Sequence, residues 1–204
     1  GTLDLVDQGL VKIVSATSIS LSPGYLKKFR KNMDQYKEKL ILRPQEVCNC
    51  PEIIHRLGVI AMNGAIEADI CGNVNSTHVF GRNMQNGIGG SGDFTSNGYL
   101  AIFFMPSTRK DGKVSCVVPR VSHVDHTEHD VDVILTEQGL ADLRGLDPWE
   151  RAEKIIDNCA HPSYKDMLFE YLNDCKKKGG HEPMDMEKAD EWYRNLEERG
   201  SLLG

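Results

Sequence analysis

The sequence predicts a layered α/β domain in which helices flank a mixed sheet. Three observations predict it. Short β-rich runs such as YLAIFFMPS and VDVILTE alternate with amphipathic helical stretches that carry their own start and stop signals. The 204 residues are enough for a sizeable core. At 26% charged and 40% hydrophobic, the composition is that of an ordinary globular chain.

The elements follow in order. Leu10–Ser18 (LVKIVSATS) reads as a strand, and Ser22-Pro23 opens a helix with a cap residue followed by proline at its first position. LILRP is a short strand, and Pro51 opens a helix that Gly58 stops. Val59–Val74 reads as two strands around an Asn63-Gly64 hairpin signal. A glycine-rich stretch follows, then YLAIFFMPS and KVSCVVPRVS, parted by the turn TRKDG. VDVILTE is a further strand, and Thr136 reads as the cap of a helix EQGLADLRG. Asp147, Pro148 and Glu150 spell a capping box before PWERAEKIIDNCA. From His161 the chain is helical and increasingly charged, broken at KKKGGHEP.

Several function classes are disfavoured at once. A net charge of −6 argues against a nucleic-acid-binding surface. No apolar run approaches the length of a membrane span, and no signal peptide opens the chain. Of the six cysteines only Cys48 and Cys50 lie close together, with no second close pair, so reduced thiols in a cytosol-like compartment are expected. The opening GTLDLVDQGLVKIV has no initiator methionine and no polar lead-in, which predicts a start inside a larger protein.

Four stretches could carry chemistry. In NGIGGSGDF, Gly87, Gly89 and Gly92 spell G-x-G-x-x-G, but polar FGRNMQN precedes them where a dinucleotide fold needs a buried strand. In HVDHTEHDVD, His123, His126 and His129 recur every third residue beside acids, the commonest borderline metal ligands. Flanking β sequence would put them on alternate faces, so no metal site is expected there. Glu67, Asp69 and Glu137 are acids in apolar settings, for which a structural role is the better reading. The glycine loop itself, Gly89-Gly90-Ser91-Gly92, offers amides that side chains do not shield, as an oxyanion hole requires. A tight turn is the plainer alternative, and Gly92 is expected to serve the turn only.

The run from Ala61 to Phe94, AMNGAIEADICGNVNSTHVFGRNMQNGIGGSGDF, resembles the acetyl-CoA hydrolase/transferase family of class I CoA-transferases. MPSTRKDGKVSCVVPRV, VDVILTEQGLADLRGLDPWERAEKII and CAHPSYKDML continue the resemblance in the same order, to about Tyr171. SATSISLSP and LRPQEVCNCPEIIHRLG are similar to the branch acting on acetate and succinate.

The resemblance implies a class I CoA-transferase-like (NagB/RpiA/CoA-transferase-type) fold, with an N-terminally truncated C-terminal α/β domain over residues 1–180 and a helical tail over 181–204. It implies that a glutamate attacks an acyl-CoA thioester, that a glutamyl-CoA thioester forms, and that an incoming carboxylate, or water, completes the reaction. The nucleophile lies upstream of GTLDLVDQG in the family, and Glu67 and Glu137 match non-nucleophilic positions. Asn49 and Gly90 match donors to the reacting carbonyl. Ile66, Asn86 and Gly90 match positions along the CoA thiol arm, and Lys110 matches a basic contact to CoA. Coenzyme A is then a substrate and no cofactor is permanently bound. Partners are acyl-CoA, small carboxylates and the N-terminal domain of the same protein, with no nucleic acid or membrane. A homodimer is the expected assembly, in the cytoplasm, or in the mitochondrion of a eukaryote. The alternatives are a catalytically silent CoA-binding or regulatory module, or a histidine-rich metallohydrolase.

Overall fold

A computed structural model describes residues 2–201 and divides the chain into two compact units, residues 1–57 and 58–204. In the first unit, helix α1 (Thr2–Asp7) buries Leu3 and Val6. Strand β1 (Val14–Ala16) pairs in parallel with β2 (Leu40–Leu42), and the crossover between them contains α2 (Pro23–Lys31) and α3 (Met33–Tyr36). The predicted strand over 10–18 therefore shrinks to its centre. Ser22 takes the cap position of α2 with extended dihedrals but makes no side-chain cap bond. Leu3, Val6 and the fully buried Tyr36 anchor a small core onto which Phe29 stacks, and the Tyr36 hydroxyl donates to Asp7 at 2.8 Å. Two short helices, α4 (Gln45–Cys48) and α5 (Pro51–Leu57), complete the unit.

Among the described residues the second unit holds two larger sheets and two two-stranded ribbons. Strands β3 (Ile60–Gly64), β4 (Glu67–Asp69), β5 (Val74–Asn75), β6 (His78–Val79) and β7 (Asn83–Met84) come first. Helix α6 (Ser91–Asn97) and strands β8 (Leu100–Phe104), β9 (Thr108–Arg109), β10 (Val114–Ser115) and β11 (Val117–Val118) follow. After them come β12 (Val133–Leu135), β13 (Leu140–Asp142), and helices α7 (Pro148–Cys159), α8 (Pro162–Lys178) and α9 (Met186–Arg199). The larger sheet has the order β13-β12-β8-β3 and the smaller β11-β4-β5, both with mixed pairing. β6 with β7, and β9 with β10, form separate two-stranded ribbons.

The Asn63-Gly64 signal is not a hairpin. Asn63 and Gly64 continue β3, in parallel register with Phe103 and Phe104, and β4 leaves for the other sheet. Gly64 also lacks the positive φ that a hairpin turn of this kind requires. The predicted helix after Thr136 is a hairpin instead. The Thr136 amide donates to Gly139 O, and its hydroxyl accepts from the Gln138 amide, so Thr136 shapes a turn between β12 and β13. A Cβ on Gly139 would meet the Asn158 carbonyl of α7 at 2.8 Å, so glycine lets the hairpin lie against that helix. The capping box of α7 forms as read: Asp147 accepts from Trp149 and Glu150 amides while the Glu150 carboxylate accepts from the Asp147 amide.

A single core joins the sheets to the last three helices. Phe103, Ile134, Leu143, Ile155, Ile156, Tyr164 and Leu168 are almost wholly buried in it, and α9 adds Ala189 and Trp192. Asp69 is buried within this core, where it accepts from the amides of Cys71, Gly72, Asn73 and Val121. Burial pushes its carboxyl up to about 7 against the pull of those donors. Among the described residues no helix is long and apolar enough to cross a membrane.

Candidate active site

An open cleft of about 460 Å³ in the second unit is lined by Asn63 to Ile66 of the β3–β4 connection, by Ser76, by Gln85, Asn86, Ile88, Gly90 and Ser91 of the glycine loop, and by Arg109. Three sequence-predicted residues, Ile66, Asn86 and Gly90, therefore share one cavity. Ile66 and Arg109 also line an adjoining cavity of about 220 Å³, and Lys110 joins them there.

The loop is built from the turn before it. Asp125 accepts from the Ser76 amide at 2.7 Å, from the Ser76 hydroxyl at 3.1 Å and from the Thr77 hydroxyl at 2.8 and 2.9 Å. Burial alone would raise the Asp125 carboxyl, but these donors outweigh it and hold the group below its ordinary value. The turn so fixed presents carbonyls to the loop. Asn86 Nδ2 donates to Ser76 O at 2.9 Å, and the Gln85 amide donates to Thr77 O at 2.8 Å. Asn75, fully buried, accepts from the Thr77 and His78 amides and donates to Glu67.

Gly90 is the N-cap residue of α6 with φ −90° and ψ 7°, and its carbonyl accepts from the Phe94 amide at 3.1 Å. Among the described residues no backbone carbonyl accepts from the Gly90 amide, and Gly90 lines the cleft. The loop thus opens into a helix, although no buried strand delivers it as a dinucleotide fold would require. Gly89 has φ +59° and needs glycine, whereas Gly92 has no positive φ and nothing within 4 Å of an added Cβ. Gly92 is therefore a helix residue and not the turn glycine expected of it. Lys110 is exposed at the tip of the β9–β10 ribbon with φ +49°. Asn49 lies in the first unit, where it caps the C-terminus of α4 and its amide donates to Gln45 O.

The acids are held as structural groups. Glu67 accepts from the Ser122 amide and hydroxyl, both at 2.7 Å, and from Asn75 at 2.9 Å. Glu137 accepts from the Ser107 amide at 2.8 Å, from the Ser107 hydroxyl and from Gln138 at 3.0 Å. Burial would raise Glu137, yet those donors bring it down to about 2. The three histidines do not converge. His126 is buried with Nε2 3.0 Å from Ser91 Oγ, His129 is exposed beside Glu128, and His123 faces His78. Sequence reasoning does not single out Arg109 or Gln85, and it names Ser91 only as a member of the glycine loop and not for its hydroxyl. Arg109 donates to Ala65 O at 3.2 Å and so ties the β9 ribbon to the rim of the cleft.

Residues 26–172 match the sequence profile of the acetyl-CoA hydrolase/transferase C-terminal domain. The chain is 57% identical over 201 residues to succinyl-CoA:acetate CoA-transferase of Clostridium kluyveri, covering 98% of this chain and 37% of that protein. It is 54% identical over 200 residues to propanoyl-CoA:succinate CoA transferase of Escherichia coli, covering 98% and 40%. With the acetyl-CoA hydrolase of Schizosaccharomyces pombe it shares 50% identity over 209 residues, again covering 98% and 40%. The chain thus spans well under half the length of these relatives. Among solved structures, RipA from Yersinia pestis matches with a TM-score of 0.64 and 26% identity, over 86% of this chain and 48% of that one. A 4-hydroxybutyrate CoA-transferase from Porphyromonas gingivalis matches with a TM-score of 0.65 over 87% and 43%, and at 22% identity it speaks to the fold alone. The fold is CoA-transferase-like, and the chain belongs to the acetyl-CoA hydrolase/transferase family, as its C-terminal domain.

Proposed function

We propose that this chain forms the thioester-handling face of an enzyme that moves CoA between small acyl groups such as acetate, propionate and succinate, with hydrolysis of acetyl-CoA as the outcome when water replaces the acceptor. The observation that carries the reading is Gly90, whose amide meets no backbone carbonyl among the described residues and which lines a cleft shared with Asn86 and Ile66. The names of the relatives supply the substrate class.

In this reading a glutamate from outside these residues attacks the thioester carbon, and the carbonyl oxygen takes up negative charge. The Gly90 amide donates to that oxygen as the charge develops, which lowers the barrier more than it stabilises the ground state. Ile66 and Asn86 bracket the thiol arm, and Lys110 attracts the anionic end of CoA from the neighbouring cavity. CoA enters as a substrate.

The test is CoA exchange among acetate, propionate and succinate by the intact enzyme carrying Gly90→Ala. The backbone angles of Gly90 are open to alanine, so a loss of rate reflects the donor and its approach and not strain. A fall of ~10²–10³ in kcat is expected, the usual cost of one oxyanion donor. A normally folded variant with wild-type kcat would remove Gly90 from the reaction.

A further inference from the structure

We propose that His78, His123 and Asp125 form a binding site for a borderline divalent cation of the zinc class. His123 and Asp125 are parted only by Val124, but His78 lies 45 positions before His123, so no spacing motif announces the three together. The fold places one ligand atom of each within 4.8 Å of the others. The two imidazole rings lie 3.9 Å apart, centroid to centroid, and are tilted by 43°. A tetrahedral centre with bonds of about 2.0–2.1 Å sets its ligand atoms about 3.4 Å apart. His123 Nε2 and Asp125 Oδ1 already stand at 3.4 Å.

Proton accounting gives the tautomer. The Thr77 hydroxyl has one hydrogen and spends it on Asp125, at 2.8 and 2.9 Å. Its contact with His78 Nδ1 at 2.6 Å is therefore one it accepts, so His78 carries its proton on Nδ1 and a lone pair on Nε2. A metal-binding imidazole is ordinarily held this way, by donating its other nitrogen to a fixed acceptor. Asp125 Oδ2 is occupied by the Ser76 amide and hydroxyl, while Oδ1 keeps acceptor capacity on the side of His123.

The backbone on both sides is fixed. The His78 amide donates to Asn75 Oδ1, and the Asp125 amide donates to Val74 O. Half-exposed His123 leaves solvent access for a fourth ligand, the open position of a three-ligand zinc site. The cation would share Asp125 Oδ1 with the Thr77 hydroxyl, beside the turn whose Ser76 carbonyl accepts from Asn86. The inference stands on these side chains and does not depend on the CoA-transfer reading.

The experiment titrates the untagged full chain at neutral pH with Zn²⁺ alone by calorimetry, and with Co²⁺ alone by visible absorption. One ion per chain is expected, with the absorption of a low-coordinate Co²⁺ site containing nitrogen. His78→Ala and His123→Gln should each weaken binding at least about tenfold, the lower bound for disturbing a metal's immediate surroundings. His129→Ala, outside the cluster, should leave it unchanged. Absence of saturable binding overturns the proposal, as does binding that survives both cluster variants or falls equally with His129→Ala.

Discussion

Ser91 Oγ stands 3.0 Å from His126 Nε2, which ties the residue after Gly90 to a histidine buried against Phe103. The same hydroxyl oxygen is 2.9 Å from Ile88 O. Two contacts thus pin both ends of the segment that aims the Gly90 amide. Burial lowers the His126 pKa, so the imidazole is neutral around pH 7.

This relationship predicts a positioning role. In the intact enzyme, Ser91→Ala frees the loop without altering the cleft's charge. Misplacing a donor by about an ångström can cost up to ~10²-fold. A fall in kcat of roughly tenfold to a hundredfold is expected, with KM for acyl-CoA nearly constant, because the lost precision matters only as charge develops. Steady-state kinetics check the split. A rise in KM with kcat intact would instead make Ser91 a ground-state contact.

Gly92 and Gly89 should respond in opposite directions. Gly92 lies in the first turn of α6 with open space around it, so Gly92→Ala relieves the entropic cost of glycine by about 0.5–1 kcal/mol. Gly89 has φ +59°, where alanine is strained, and Gly89→Ala should destabilise by about 1 kcal/mol. Urea unfolding of the two variants measures both signs. Equal destabilisation would mean that the whole loop needs glycine.

Asp69 organises the connection from β4 to β5 by accepting four backbone amides and the Asn73 side chain. Asp69→Ala strands those donors in a fully buried site, at about 1–3 kcal/mol each where water cannot replace the carboxylate. A loss of at least about 3 kcal/mol is expected by denaturant unfolding. A loss below about 1 kcal/mol would show that the amides find other acceptors.

Local chemistry in the sequence was legible where the partners are near neighbours. The capping box of Asp147 and Glu150 spans three residues and formed as read. Asn63-Gly64 misled because its turn propensity lost to parallel pairing with residues 40 positions on, which only the tertiary fold supplies. Thr136 misled because a cap and a hairpin turn use the same side-chain-to-amide bond, and Gly139 against α7 decided between them. At the cleft, the glycine loop was visible as a run of bare backbone, and the resemblance pointed to Ile66, Asn86 and Lys110. The hold of Asp125 on Ser76 and Thr77, and of His126 on Ser91, joins residues 35 to 49 apart and leaves no periodic trace.

The last prediction concerns acid stability. Glu137 holds Ser107 against the turn that follows β12, and its donors bring the folded pKa to about 2 from an ordinary 4.5. A carboxyl lowered on folding favours the native state wherever it is ionised in both states, so its contribution is complete above about pH 4.5. Below that the unfolded chain takes up the proton first. The contribution then declines as the pH falls toward about 2, where both states are protonated. Glu137→Gln removes the charge but keeps the shape. The stability gap between the parent and Glu137→Gln should therefore be flat from pH 5 to 7 and narrow as the pH is lowered through 4 to 3. Glu137 is exposed, so the gap is small, and added salt should narrow it further. Urea titrations at each pH measure it. A gap that persists unchanged at pH 3 would place the role of Glu137 in packing and not in its charge.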